Sequence, residues 1–474
     1  MVNPQRAWGE IQGVQSPEII RHFGGFSSGD AFSLNDNVMV KNKNISSKGV
    51  PAAKVRAGFT KLGTLVAPVM GIGLHKENQL NVISGGVWKR WNGSSWNDLA
   101  SGLNGSAKWS FTNFKGNFSD VALIASNGID PVKVYDGATL SNLENAPSGL
   151  NFVTSHENRL YGAVRNELHY SALRKPTDWN TVDQSGQIVI ENKGGENISC
   201  VVGGTGKIVV FLPHSMHELY GTGPINFRLQ VITEEIGCVC HQSAVMVGGI
   251  LFFLSHDGIY RYAGGAVPKR DFSLKVQEIV NRINKNAWSA VAAGTDGERY
   301  YISLPLDNAT EPNITLEYDP AYDIWNVWDV GHVPTAYGRN QGNMVIGVRE
   351  NAVLQMGGTN DAGIATPYML ETKPFSYGSL AAHARLYRLW IVADVPIGAT
   401  MNVYISNKEQ GDTDWSLVKT ISSNTAIVAT PIHIPVDKSF YANWVRIKIE
   451  GQGQVVIHEI ARQSRMFRFG IGGG

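Results

Sequence analysis

ENRLYGAVRNELHYSALRKPTDW, residues 157–179, reads as two short strands joined by a polar turn and closed by a tryptophan. Leu160, Tyr161 and Ala163 are expected to build an inner strand, Leu168 and Tyr170 the next, and Trp179 to anchor the unit against its neighbour. The pattern recurs along the chain. QLNVISGGVWKRWNGSSWNDL (79–99) gives a strand, a glycine turn, a second strand and Trp96. DVALIASNGIDPVKVYDGATLSNL (120–143) repeats it with Val132, Val134 and Tyr135. KIVVFLPHSMHELYGTG (207–223), ILFFLSHDGIYRYAGG (250–265), YYISLPLDNATEPNITLEYDPAYDIWNVWDV (300–330) and NMVIGVRENAVLQMGG (343–358) continue the series.

Equivalent points fall about 40 residues apart, a period typical of propellers and solenoids. One such meander cannot cover both faces of its sheet, whereas six or seven packed radially can, each blade covering the next. The expected fold is therefore all-β: an irregular six- or seven-bladed β-propeller with an inserted amphipathic helix, followed by a C-terminal β-sandwich. The helix is expected in DFSLKVQEIVNRIN (271–284), where Val276, Ile279, Val280 and Ile283 recur at helical spacing behind Ser273 as cap. After Gly358 the texture changes. Six candidate strands lie within 385–464, among them VRIKIEG, with Val445, Ile447 and Ile449 turned inward. The boundaries expected are 1–61 as an N-terminal segment completing the propeller, 62–358 as propeller, 359–384 as linker, 385–464 as sandwich and 465–474 as a flexible tail.

Composition narrows the function. The chain has 474 residues, 43% hydrophobic and 17% charged, and a net charge of +1. Tight binding to nucleic acid through phosphates calls for a basic excess that is missing here. The start, MVNPQRAWGEIQG, has neither a basic n-region nor an apolar h-region, so no secretory signal is expected. AVMVGGILFFL (244–254) is too short to span a bilayer and reads as a buried strand. Cys200, Cys238 and Cys240 form no disulfide framework and are expected as small buried hydrophobes.

No HExxH helix, phosphate-binding GxxxxGK[ST] loop or dinucleotide-binding GxGxxG turn occurs, and no enzyme activity or cofactor is expected. Glu234–Glu235 and Asp296 with Glu298 are sequence neighbours, which does not make them a converging acid–base pair. His214, His217 and His256 lie at strand turns, without metal-ligand spacing. SHDGIYRY (255–262) lacks the tryptophan and the spacing of a sialidase-type Asp box, and Asp257-Gly258 is expected to be a hairpin turn.

Four stretches together resemble the tail hub or nozzle proteins, also called packaged-DNA stabilisation proteins, of short-tailed bacteriophages. They are HFGGFSSGD with KNKNISSKGVPAAKVRAGFTKLGT, then ENRLYGAVRNELHYSALRKPTDW, then the long segment from KIVVFLPHSMHELYGTG to HDGIYRYAGG, and the helix at 271–284. The likeness covers roughly residues 18–285 and departs from the family at Ala57, where proline often follows the arginine. The resemblance implies a virion structural protein, made in the host cytoplasm, that extends and closes the head–tail DNA channel and retains packaged DNA. It further implies a homohexameric ring, portal or adaptor proteins above, needle, spike or fibre proteins below, and transient non-specific contact with viral DNA. Arg465, Phe467 and Arg468 in the tail RMFRFGIGGG are the candidate inter-subunit contact. Two other functions fit a propeller joined to a sandwich: a glycan-binding tail-tip adhesin, and a propeller glycosidase or lyase with carboxylates at its axis.

Overall fold

The apolar runs that mark each repeat are second strands, covered on both faces. Ile250–Leu254, Lys207–Phe211 and Tyr300–Leu304 are almost wholly buried, as strands packed between two layers must be. The computed structural model describes residues 16–192, 194–204, 206–376, 383–408, 414–422, 424–436 and 441–467. The chain divides into two units: residues 59–320 with 329–357, and residues 1–58 with 321–328 and 358–474.

The first unit is a seven-bladed β-propeller. Its blades begin with the inner strands Val69–His75, Ser110–Phe114, Asn151–His156, Cys200–Gly204, Val245–Val247, Ala292–Thr295 and Pro334–Asn340. Each leads an antiparallel meander. The last blade, Pro334–Asn340, Asn343–Val348 and Ala352–Met356, takes its outer strand from Phe59–Lys61, with Gln355 opposite Thr60. Strands from the two ends of the unit thus close the ring.

Aromatic and aliphatic side chains fill the space between blades. Trp179 packs with Phe114, Ile124, Val134 and Leu160, joining the second and third blades as its position in the repeat suggested. Val69, Leu80 and Val82 of the first blade meet Ala336, Val345 and Val353 of the seventh. The inner strands crowd so closely that a Cβ on Gly294 would lie 2.3 Å from that of Tyr337. Glycine is required there by close approach.

The strand assignment within the repeat shifts by one. Leu160, Tyr161 and Ala163 occupy the second strand, Arg159–Val164, and the inner strand of that blade is the more polar Asn151–His156. An inner strand has one face toward the axis, so the longest apolar run belongs one strand further out. Asp257-Gly258 does turn the hairpin between Ile250–Leu254 and Ile259–Tyr262, with Ser255 N–H donating to the Gly258 carbonyl at 2.9 Å. The expected helix is shorter than its periodicity suggests. A 3-10 turn, Asp271–Val276, runs into a five-residue α-helix, Gln277–Asn281, and Ser273 caps neither; its hydroxyl donates to the Arg270 carbonyl. Val276, Ile279, Val280 and Ile283 are all buried, so the apolar face is as expected.

The second unit is a β-sandwich. One sheet orders Ile45–Ser46, Ala53–Val55, Val456–Phe467, His383–Val395 and Ile427–Ile434, with Glu18–Ile20 and Tyr441–Ala442 added beside it. The other orders Met39–Lys43, Pro367–Thr372, Trp444–Gln452, Thr400–Ser406 and Ser416–Ser422, with Phe375–Ser376 on Trp444–Gln452. Val445, Ile447 and Ile449 point into the core with Met39, Val55, Leu370, Leu389 and Ile460.

Three expected boundaries are corrected by this arrangement. Of the described residues among 1–61, Phe59–Lys61 completes the propeller, whereas Ile20, Met39, Ile45 and Val55 are buried in the sandwich. The stretch read as a linker, 359–384, holds the interior strand Pro367–Thr372, with Tyr368 and Leu370 buried. The tail read as flexible from 465 begins as strand, because Val456–Phe467 stays paired with His383–Val395 through Phe467.

Arg56, in the Arg-Ala-Gly turn, ties the sandwich's early strands to that stretch. Its guanidinium is fully buried and meets both carboxylate oxygens of Asp361 at 2.8 Å. Nε donates to Asn44 Oδ1 at 2.9 Å, and the group lies 5.7 Å from the Trp328 ring centre. A buried bidentate pair of this kind fixes geometry because neither partner can be left alone without a large desolvation cost.

Candidate functional site

The inner strands of the propeller begin around a cavity of about 550 Å³, the size of a small-molecule site. Met70 lines it from the first blade, Asn151 and Phe152 from the third, and Thr335 from the seventh. Lys108, just ahead of the second inner strand, and Gln242, ahead of the fifth, complete the wall. A second cavity of about 150 Å³ shares Met70, Gln242 and Thr335 with the first and adds Trp109, His241 and Tyr337.

Lys108 is the part-buried cation here. Its Nζ donates to the carbonyls of Ala290 at 3.1 Å and Val291 at 2.7 Å. Burial pulls its pKa below the ordinary lysine value, and the nearby Cys240 sulfur acts weakly the other way. Glu311 on the same lining is ion-paired to Arg349. A local irregularity aims the third blade at the cavity. The register shifts between Asn151 and Thr154, and Phe152 adopts φ 55°. A bulky residue in the left-handed region is an outlier that surrounding structure must hold in place. Asn151 Oδ1 steadies the bulge by accepting the Phe152 N–H at 2.9 Å.

Behind this wall lie the three thiols, all free and buried. His241 Nδ1 is 3.3 Å from Cys200 Sγ, and the Phe152 ring packs 4.6 Å from the imidazole. Cys238 Sγ donates to the Cys240 carbonyl at 3.2 Å. Burial pushes the Cys200 and Cys240 thiols up and the His241 imidazole down to about 4, while Cys238, against the same burial, is lowered by its hydrogen bonds with Cys200, Ser243 and the Cys240 backbone. A nucleophilic cysteine needs the opposite tuning, a stabilised thiolate beside a basic imidazole. Cys200, the thiol beside His241, is therefore a packing group, as the sequence suggests for the cysteines.

Other singled-out residues are placed elsewhere. Asp296 and Glu298 do converge, but on Arg299, at 3.4 and 2.9 Å, together with Asp319 at 3.0 Å and Glu317 at 3.8 Å. These four carboxylates gather on a single buried guanidinium, which ties them into one ion-pair network. His214 stacks on His256 with ring centres 4.3 Å apart, and His217 Nε2 is 3.0 Å from Ser215 Oγ. Among the described residues no group of three or more His, Cys, Asp or Glu is arranged to hold a metal ion.

Arg465 lies in the strand Val456–Phe467, opposite Arg385, with its guanidinium 4.3 Å from the Tyr387 ring centre. Phe467 ends that strand opposite His383, and Arg468 lies outside the described residues. Sequence reasoning passed over Lys108, Asn151 and Gln242, which lie 43 and 91 residues apart along the chain in no shared motif; only the fold brings them together. The one local signal was Asn151-Phe152 interrupting the alternation at the start of a strand.

No protein-family model matches the chain, and no curated protein matches it. Among solved structures, BamB from Moraxella catarrhalis aligns at 7% identity and TM-score 0.42, over 67% of this chain and 97% of that one. The Neurospora crassa Pan2 WD40 domain aligns at 9% identity and TM-score 0.43, over 64% and 96%. The extracellular domain of BT3049 from B. thetaiotaomicron aligns at 10% identity and TM-score 0.41, over 78% of this chain and 48% of that chain, so the match spans about half of its length.

Proposed function

We propose that the chain is a structural protein of a phage tail, a hub or nozzle that extends and closes the head–tail channel, retains packaged DNA and anchors tail-tip components. The observation that carries this reading is how the polypeptide is divided. The sandwich draws on both ends of the chain, residues 1–58 and 358–474, so the propeller between them is joined to it at both of its own ends. A module joined at both ends of its chain, instead of by a single tether, suits a part that transmits load.

Charge points the same way. A conduit for DNA must not hold the phosphates, and a net charge of +1 avoids the counterion-release attraction of a basic wall. The propeller's cavity of about 550 Å³ is far too small for a duplex, so a channel would have to form between copies. Closed rings use heterologous contacts between unlike faces, and a propeller joined to a sandwich supplies unlike faces. Arg465 and Phe467, at the end of the long sandwich strand, are the proposed contact to the next copy.

The test is electron microscopy of particles made by the phage carrying this gene after the gene is removed. Heads that package DNA and then lose it, with tails absent or truncated, are expected. Complete DNA-filled particles that only fail to adsorb would shift the assignment to a glycan-binding adhesin.

A further inference from the structure

We propose that the axial cavity of the propeller is a binding site for a small molecule that carries a carboxylate or phosphate beside an apolar face. The proposal does not depend on the assembly role above.

Three groups supply the donors. Lys108 spends two hydrogen bonds on the Ala290 and Val291 carbonyls. An ammonium has three N–H donors, and no carboxylate pairs with this one among the described residues. Gln242 accepts the Cys240 thiol on Oε1 at 3.5 Å, which leaves its amide N–H groups for the cavities it lines. Asn151 likewise uses Oδ1 on the Phe152 N–H, leaving its own amide N–H groups at the wall. Cation and amides are thus all donors. The lone acid on the lining, Glu311, is held by Arg349 and does not oppose an anion.

The apolar half is the Phe152 ring, held in place by the bulge and backed by His241. Bulges recur where a strand must re-aim a side chain beside a site, and the left-handed φ at a phenylalanine is the kind of local strain that clusters at ligand clamps. A charge-assisted hydrogen bond in a partly desolvated cavity is stronger than its surface counterpart. Anion binding would also favour the protonated form of Lys108, against the effect of burial.

Calorimetric titration of the full chain with galacturonate, galactose 6-phosphate and galactose decides the matter. At least one acid is expected to bind saturably, one per chain, and galactose about tenfold more weakly or not at all, the loss of one charge-assisted contact. Which acid binds tells carboxylate from phosphate. Lys108→Met is expected to weaken the acid about tenfold or more. Asn151→Asp keeps the bond to Phe152 N–H while placing a negative charge at the wall, and is expected to weaken it as well, which keeps the test decisive if the lysine variant fails to fold. Absence of saturable binding by both acids, equal binding of galactose, or binding unchanged in the folded variants overturns the proposal.

Discussion

At the scale of single residues, the axial region is tuned toward neutral, buried groups. His241 remains unprotonated in the folded chain down to about pH 4, against 6.5 for an exposed imidazole, because burial disfavours its charged form. The unfolded chain therefore binds the extra proton across that window. Stability is fully present above pH 6.5 and falls as pH drops toward 4, by at most about 3 kcal/mol from this group. Burial lowers His156 and His217 in the same direction. Denaturant melts at a series of pH values should show this slope, and His241→Asn should make it shallower; an unchanged slope would mean that the imidazole is not held neutral. Cysteine burial was legible from composition and context, whereas the neutral imidazole was not, since it depends on Phe152, 89 positions earlier in the chain, packing on the ring.

At the scale of elements, each blade reads directly from its second strand, because a strand covered on both faces must be apolar throughout. The inner strands were harder to recognise. Gly71, Gly73, Gly203 and Gly294 interrupt them where neighbouring blades approach most closely, so their hydrophobic alternation is broken for steric reasons. Ring closure rests on Phe59–Lys61 beside Ala352–Met356. Phe59 is 1% exposed, and Phe59→Ala is expected to cost about 3–5 kcal/mol through the lost contacts and the cavity left behind. Hydrogen exchange should show the loss first as faster exchange in Ala352–Met356. Exchange accelerated equally in every blade would argue against a closing role for that strand.

At the scale of the whole chain, the sequence reading separated the molecule along its length, and the fold does not. Residues 385–464 carry six strand patterns that look self-sufficient. The sandwich nevertheless takes Met39–Lys43 and Pro367–Thr372 into one sheet and Ala53–Val55 into the other. Pairings across several hundred residues leave no local trace, since each strand's pattern states only that it has a buried face. A fragment of residues 383–474 is therefore expected to lack cooperative unfolding and to aggregate through uncovered sheet faces. Adding residues 16–58 and 358–382 should restore a sharp transition, as read by circular dichroism; a well-folded short fragment would contradict the shared core.

The proposed tail-hub role is tested most directly by electron cryo-microscopy of the tail of the virus carrying this gene. The account predicts a ring of six copies around the DNA channel below the portal, each fitting the propeller and the sandwich, with the chain near Arg465 and Phe467 against the adjacent copy. Density for this chain only at fibre tips, or nowhere on the tail axis, would contradict it.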